Sequence, residues 1–486
     1  MPSYSPDQHR PDGDRVLAPF LQHPQLPFAD VLTGDDVRQA LADQGVHFGT
    51  RRTAVYTPAL TLWGWLSQGV HHDKACLAAA LRVAVLLLAL GRPPGDGHSG
   101  TYCRARAKLP HGVLRRLAVQ VGRRLQRQVP APWLCRGRHV QLVDGFVVQL
   151  PDTPDNQKCY PQPPTQKPGL GFPLLRLVAV VSLITAAVQD LAYGPYEGKE
   201  TGEPALFRRL LAERVAGDVV VFDRYYCSSF MVALAVRHGL DVVVRLHQRR
   251  ACDFRRGRRL GPDDRRVQWR RPERPAWMTA EEYAAVPKTL TVREIRVTAA
   301  RPGFRPEALV VVTTLTDAAG YAQEEIGDLY RERWQVELDI RSLKVGLRME
   351  YLRCLTAFMI EKEVWANVLT YNLLRKVGAQ AALLHGRHPR EISFTATRQA
   401  VEASWQPLST APAAGQLELG RYLLRELSEQ RVGGRPGRCE PRAVKRRPKK
   451  QALLVKPRAE AKAELLAGRR DRRPAGPAPQ GPKPRC

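Results

Sequence analysis

Between about residue 30 and residue 130, apolar side chains recur every three or four positions, the spacing that gathers them on one face of a helix. Thr33 stands just before such a run, DDVRQALADQ, where its hydroxyl can cap the free amides of a first turn. Asp35 and Asp36 suit the positive end of that helix. The stretch from Lys74 to Leu90 is strongly apolar and ends at Gly91 and two prolines. In LRRLAVQVGRRLQ, residues 114–126, basic side chains lie beside an apolar stripe. A basic, all-helical region of this kind holds either a DNA-reading helix or a packing and dimerisation module. The pattern does not pick out a recognition helix.

The period then shortens to that of strands. His139–Leu150, Leu177–Leu183, Ile184–Tyr193, Asp218–Asp223 and Asp241–Leu246 are rich in Val and Leu and predict β-strands. Helices are expected at Pro204–Val215 and Ser229–His238, between the third, fourth and fifth of these. Strands first, then strand and helix in alternation, give a mixed α/β sheet. Residues 248–276 break the order with eleven arginines and four acids. Strand-like segments follow at Thr289–Val297 and Ala308–Leu315, so about 247–305 reads as an insertion ahead of further helices at about 321–384. Its basic face either lies along DNA or is a solvated loop.

Composition changes this picture through charge. Seventy-six Lys and Arg against 47 Asp and Glu leave a net charge of +29, a field that attracts polyanions, with nucleic acid the usual partner. Ribosome-associated and membrane-surface proteins share such a charge, so it names a partner class and no reaction. The last 56 residues, 431–486, carry a net +14 on a Pro- and Gly-rich background, which predicts a disordered tail that binds phosphates without reading sequence. Nine scattered cysteines with no CxxC pair suit reduced thiols and not a disulfide framework. His385 and His388 form an HxxH with no partner motif nearby, the mark of a surface loop more than of a zinc site. The polar N-terminus and a longest apolar run of twelve residues predict a soluble intracellular protein. GPYEGKET at 194–201 has the wrong spacing for a phosphate-binding loop.

The candidate chemistry lies in carboxylates. Asp144 falls inside the first strand and Asp223 ends the strand VVVFD. Two such aspartates on neighbouring strands repel unless a cation sits between them, and hard oxygen ligands suit Mg²⁺ or Mn²⁺. Strand-end aspartates also serve as caps and turn formers. In DLYRERWQVELDIRSLKVGL, Tyr330, Arg333, Glu337 and Lys344 lie at offsets 0, 3, 7 and 14. On a continuous helix these fall within about 60° of arc, while Glu332 and Asp339 point away. Glu337 can complete a three-carboxylate metal site, with Arg333 and Lys344 holding phosphates and Tyr330 adding a hydroxyl. An ordinary amphipathic helix with an Arg333–Glu337 pair is the plainer reading.

Y-x₂-R-x₃-E-x₆-K, matched at 330–344, resembles the signature of the insertion-sequence-four family of bacterial DDE transposases. LRMEYLRCLT (347–356) and YNLLR (371–375) agree with it. DGFVVQLPDT (144–153) looks like the family's first-Asp strand and DRYYCS (223–228) like its second. TYCRARAKLP (101–110) and PRAVKRRPKK (441–450) are also similar, so the likeness spans about 100–450. It implies an RNase H-like core with a mostly β insertion, and catalytic, metal-binding Asp144, Asp223 and Glu337 holding two Mg²⁺ ions, for which Mn²⁺ substitutes. It further implies DNA contacts from Tyr330, Arg333 and Lys344, binding of terminal inverted repeats and target DNA as a homodimer, and cut-and-paste strand cleavage and transfer in the bacterial cytoplasm. The domains expected are a helical N-terminal one (1–135), the catalytic one (136–385), a helical region (386–430) and the tail. Phe146 departs from the family's small hydroxyl residue and Tyr225 from its common small one. Trp269 and Trp277 are candidates for the family's base-stabilising tryptophan, with neither favoured. A nuclease that cleaves without joining, and a decayed transposase that only binds DNA, are the alternatives; the Tyr–Arg–Glu–Lys face speaks against the first and the intact carboxylates against the second.

Overall fold

The computed structural model describes residues 13–51, 54–299, 307–432 and 455–471. Six helices come first: α1 (Gly13–Leu17), α2 (Gly34–Asp43), α3 (Pro58–Val70), α4 (Cys76–Ala89), α5 (Ser99–Lys108) and α6 (His111–Arg127). Thr33 caps α2 in a reciprocal box with Asp36. The sheet then opens with β1 (Val140–Gln149), followed by a short α7 (Pro154–Cys159), β2 (Leu174–Ser182) and β3 (Val188–Pro195). The crossovers are α8 (Glu203–Arg208) into β4 (Val219–Phe222) and α9 (Ser229–Arg237) into β5 (Asp241–Arg245). Next come β6 (Arg258–Gly261), β7 (Asp264–Arg270), α10 (Ala280–Ala285), β8 (Thr289–Ala299) and β9 (Glu307–Thr313). The chain continues through α11 (Gln323–Arg331), α12 (Trp334–Arg341), α13 (Ala357–Leu384), α14 (Phe394–Thr410), α15 (Ala413–Glu429) and α16 (Arg458–Asp471).

The nine strands form one mixed sheet in the order β3-β2-β1-β4-β5-β9-β8-β7-β6. β1 pairs antiparallel with β2 and parallel with β4, and β4 is parallel to β5. That five-strand arrangement is the RNase H-like one. The arginine-rich segment extends it. β6 and β7 form a hairpin, β7 joins β8, and β9 bridges β8 to β5. Buried Arg265–Glu294 and Arg293–Asp264 pairs compensate charge inside this extension.

Val140, Leu142, Phe146 and Val148 of β1 face a core built from α3, α6 and α11–α14, while Val143 faces a second core under α8 and α9. α13 is the axis of the first core. Its Asn372 takes the Val188 amide at 2.8 Å and donates to Val188 and Ala118 carbonyls, and its Lys376 donates to the Phe20 carbonyl at 3.1 Å. Helices from both ends of the chain therefore share one core. Gly122 lets α6 approach β3, because a Cβ there lies 2.1 Å from the Val188 carbonyl oxygen.

Several expectations need correction. The helix expected over Pro204–Val215 stops at Arg208 and ends in a 3₁₀ turn, Leu211–Glu213. β3 begins at Val188 because Ser182 bonds Ala187 across a tight turn with Ala186 at φ 59°. The helix of the Tyr–Arg–Glu–Lys run is not continuous. It tightens at Glu332–Arg333, where Arg333 bonds Tyr330 three residues back, and widens into a π turn at Ser342–Gly346. Within the expected disordered tail, Arg458–Asp471 is a helix, as its Ala, Glu and Leu content favours. Residues 433–454 and 472–486 of that tail lie outside the described residues. Among the described residues no helix is long and apolar enough to cross a membrane.

Candidate active site

β1 and β4 pair through Val140–Leu142 and Val219–Val221. Two positions beyond that ladder stand Asp144 and Asp223, at the carboxyl end of the parallel pair, where open α/β sheets bind their ligands. Asp144 shares the face of Leu142 and Phe146, so it points towards the α12 side of the sheet. Asp223 follows the last residue of β4 and caps a single 3₁₀ turn, accepting the Tyr225 amide.

α12 brings the third carboxylate. Glu337 lies in its first turn, where the helix dipole favours a negative charge. Arg333, at the tightened joint between α11 and α12, reaches both sides: Nη2 is 2.7 Å from Glu337 Oε1 and Nη1 is 3.9 Å from Asp144 Oδ2. These carboxylates hold the guanidinium above its ordinary pKa despite its burial. Burial pushes the Asp144 carboxyl up to about 7, with Glu203 and Asp223 pressing the same way and the Gly145 amide and Arg333 opposing. Asp223, Arg224, Arg245, Tyr330 and Arg333 line a cleft of about 420 Å³ whose walls are almost wholly polar. Burial holds the Tyr330 phenol protonated, up to about 12. A neighbouring cavity of about 460 Å³ shares Asp223 and Arg224 and adds Tyr225, His247, Gln248 and Arg249.

Asp223, Tyr330 and Arg333 thus line one cleft, and Arg333 reaches from it to Asp144 and Glu337, which do not line it. Lys344 is half-buried in the π turn beyond α12, and no hydrogen bond or ion pair among the described residues joins its side chain to them. Asp339 is not a solvent-facing counterpart of Glu337: it is buried and bonds Arg375 and Arg390, each at 2.9 Å. Glu332 is exposed. Arg224, Arg245 and Glu203 were missed by sequence reasoning. A signal for Arg245 did exist in its place at the end of a buried strand, the argument that singled out Asp223.

The donor chemistry, carboxylate oxygens, is of the kind that suits a hard divalent ion. As they stand, no three acidic, His or Cys groups among the described residues are grouped to hold a metal. The charge that answers Asp144 and Glu337 is the Arg333 guanidinium. His388 packs against Trp133, at 5.8 Å between rings, and belongs to no metal-holding group among the described residues. Trp269 is buried, donating to Glu294 at 3.0 Å under Arg250. Trp277 is half-buried and lines a cavity of about 310 Å³ with Tyr225, Phe230 and Arg208. Phe146 is in the core, whereas Tyr225 is 58% exposed.

A mixed sheet of this order, with Asp144 inside β1 and Asp223 just past β4, each two positions beyond the ladder that pairs them, is the frame of a DDE transposase. The family model for the transposase DDE domain matches residues 136–373. Transposase InsG for insertion sequence element IS4, from Escherichia coli strain K12, is 25% identical over 446 residues, covering 90% of this chain and 95% of that protein. The chain belongs to the insertion-sequence-four family of DDE transposases, enzymes that cleave and transfer DNA. Among solved structures, the piggyBac transposase synaptic complex with hairpin DNA aligns over 89% of this chain and 88% of that one, at 11% identity and a TM-score of 0.42.

Proposed function

We propose that this transposase recognises terminal inverted repeats, cuts at their ends and joins them to target DNA, with Asp144, Asp223 and Glu337 as the catalytic carboxylates. The observation that carries this reading is the cleft where Asp223 meets Arg224, Arg245, Tyr330 and Arg333, with Arg333 tied to Asp144 and Glu337. Three guanidinium groups and a protonated phenol are donors suited to a phosphodiester. Held by them, the scissile phosphate lies beside the carboxylates, and fixed alignment of attacking and leaving oxygens supplies much of the rate. Two Mg²⁺ ions, with Mn²⁺ able to replace them, would be held by the three carboxylates and would activate the attacking oxygen and stabilise the leaving one. Arg333 sets the carboxylates in register and contacts a phosphate, and Lys344 grips the DNA further along.

At the level of the whole enzyme we propose residues 136–385 as the catalytic domain, with 247–305 as its insertion. Residues 1–135 serve in DNA binding and assembly, 386–430 form a helical support, and 431–486 are a basic tail. A homodimer forms on the paired DNA ends, and the protein acts at the nucleoid in the bacterial cytoplasm. Trp277, half-buried beside Tyr225 with the Arg208 guanidinium 3.8 Å over its ring, is nearer the surface than the buried Trp269, and is the tryptophan we propose stacks on a base when Arg208 turns to a phosphate.

The test is Mg²⁺- or Mn²⁺-dependent nicking of a duplex bearing the repeat. Asp144→Asn, Asp223→Asn and Glu337→Gln are each expected to lower the rate at least about a hundredfold while repeat binding survives, since the ions lose a charged ligand. Glu332→Gln, on an exposed side chain of the same joint, keeps the parent rate. Cleavage by Glu337→Gln at the parent rate would falsify the assignment. A parent that binds its repeat and never cuts it is a decayed transposase.

A further inference from the structure

Asp223 borders two spaces, and cutting a strand requires only one of them. The cleft with Arg245, Tyr330 and Arg333 and the cavity of about 460 Å³ with Tyr225, His247, Gln248 and Arg249 meet at Asp223 and Arg224 and share no other lining residue. Asp223 is the acid common to both. The other charged groups lining them are arginines.

The second cavity opens where the arginine-rich extension leaves β5, and its wall is held in place. The Leu246 amide donates to the Val310 carbonyl at 2.8 Å, and the chain turns at once, with the Arg250 amide on the His247 carbonyl at 2.9 Å. Arg250 clamps this turn to the body of the protein. Its Nη2 donates to Ser229 Oγ at 2.9 Å, and its guanidinium lies 3.9 Å from the ring centroid of the buried Trp269. The tip of the turn is left open: Gln248 and Arg249 are exposed, as is Arg224 across the cavity. No hydrogen bond or ion pair among the described residues engages the side chain of Arg224 or Arg249. His247 Nδ1 accepts the Arg249 amide at 3.2 Å, which leaves Nε2 to donate outward. Two unpaired guanidinium groups, an imidazole and an amide are donors for a phosphodiester backbone, and the exposed Tyr225 offers a ring to a sugar or base.

Joining explains why such an enzyme needs both spaces. The 3′ oxygen of the cut end forms a bond to a target phosphorus, the bond from that phosphorus to the target's own 3′ oxygen breaks, and the proton of the attacking hydroxyl passes to the leaving oxygen. In an in-line displacement these two oxygens stand on opposite sides of phosphorus, so the strands that carry them cannot share one space. Hydrolysis puts water in the attacking position and needs no second duplex.

We propose that the cavity of Tyr225, His247, Gln248 and Arg249 seats the target strand, held through its backbone, while the cut end stays in the Arg333 cleft. This rests on the reading of the enzyme as one that joins ends as well as cutting them. It gives the opening turn of the insertion the task of presenting a target phosphate beside Asp223.

The experiment runs two reactions with the full chain: nicking of an uncut duplex bearing the repeat, and joining of pre-cut repeat ends to a supercoiled plasmid. Arg249→Ala is expected to nick at the parent rate and to join about tenfold more slowly at limiting plasmid, through loss of a charge-assisted contact. Saturating plasmid recovers most of the joining rate, and Arg249→Lys keeps more of it than Arg249→Ala. Arg255→Ala, which removes an exposed charge of the same extension outside the cavity, joins at the parent rate. Thermal midpoints match the parent's, because the Arg249 side chain has no partner to lose. If nicking and joining fall together in Arg249→Ala, the cavity holds donor DNA and the proposal falls. If Arg249→Glu joins as fast as the parent at limiting plasmid, no target strand lies there and the proposal falls, with the transposase reading intact. A parent that nicks its repeat and joins pre-cut ends to no target overturns the joining reading itself.

Discussion

Asp144 shows how a single buried acid ties chemistry to stability. Its carboxyl is raised to about 7 in the fold, first by burial, against an ordinary value of 3.8. A raised carboxyl pKa means that the folded state binds the proton more tightly than the unfolded chain. Ionising Asp144 therefore costs stability, a cost that grows as pH rises from about 4 and is complete above about 7. In chelator, Asp144→Asn is spared this loss. Its thermal midpoint is expected to gain on the parent's as pH rises through that window, with the gap levelling above pH 7. Asp218, raised to about 6, titrates in both proteins and cancels in the comparison. A gap that stays constant from pH 5 to pH 8 would show that Asp144 is not the group responsible.

At the scale of elements, the α11–α12 joint matters more than either helix alone. A straight helix places Tyr330, Arg333, Glu337 and Lys344 on one arc; the real one tightens at Arg333 and loosens at Ser342–Gly346. The tightening sets Arg333 between two carboxylates, and the π turn carries Lys344 past the cleft. α12 is pinned from behind by Asp339, whose side chain is 2% exposed and holds both Arg375 of α13 and Arg390. Removing one member of a buried ion pair leaves charge uncompensated and costs about 3 kcal/mol or more. Asp339→Asn is thus expected to lower the unfolding midpoint clearly, with cleavage per folded molecule only mildly reduced. Full stability in that variant, read by thermal or denaturant unfolding, would remove the anchoring role. Sequence spacing alone places Asp339 on the far side of the helix and no more, because a helical wheel says where a side chain points and not what another helix brings to meet it.

Across the whole molecule, most of the positive charge lies away from the apolar core, although Lys376, Lys362 and the Asp339–Arg375 pair are buried within it. Apolar helices from both termini pack around α13, while the basic residues concentrate on the strand extension and in the tail. Phosphate binding by a basic tail gives salt-sensitive affinity without base readout. Truncation after Val432, which spares the Ile392–Arg431 bridge, is expected to flatten the dependence of DNA affinity on salt. Each phosphate that the shortened chain leaves unneutralised takes about 0.9 off the log–log slope. Preference for the terminal repeat over random duplex should persist. Binding titrations at several salt concentrations decide the matter, and an unchanged slope or an abolished preference counts against this division of labour.

Much of this was legible in the chain. The alternation of Val- and Leu-rich runs with helical ones located β1, β4 and β5, because a buried strand needs an apolar run whatever surrounds it. The spacing of Tyr330, Arg333, Glu337 and Lys344, with Asp144 inside one strand and Asp223 after another, singled out three residues that line the cleft, Asp223, Tyr330 and Arg333, but not the arginines Arg224 and Arg245 beside them. Pairing was not legible. That β9 bridges β5 to β8, that Arg245 faces Tyr330 across the cleft, and that Glu203 lies over Gly145 all follow from contacts between segments tens of residues apart. Local pattern records whether a residue is buried and which way its own element turns it. Which partner waits there is settled only when sheet and helices close on one another, and at this site that closure decides which carboxylates face one another and which arginine lies between them.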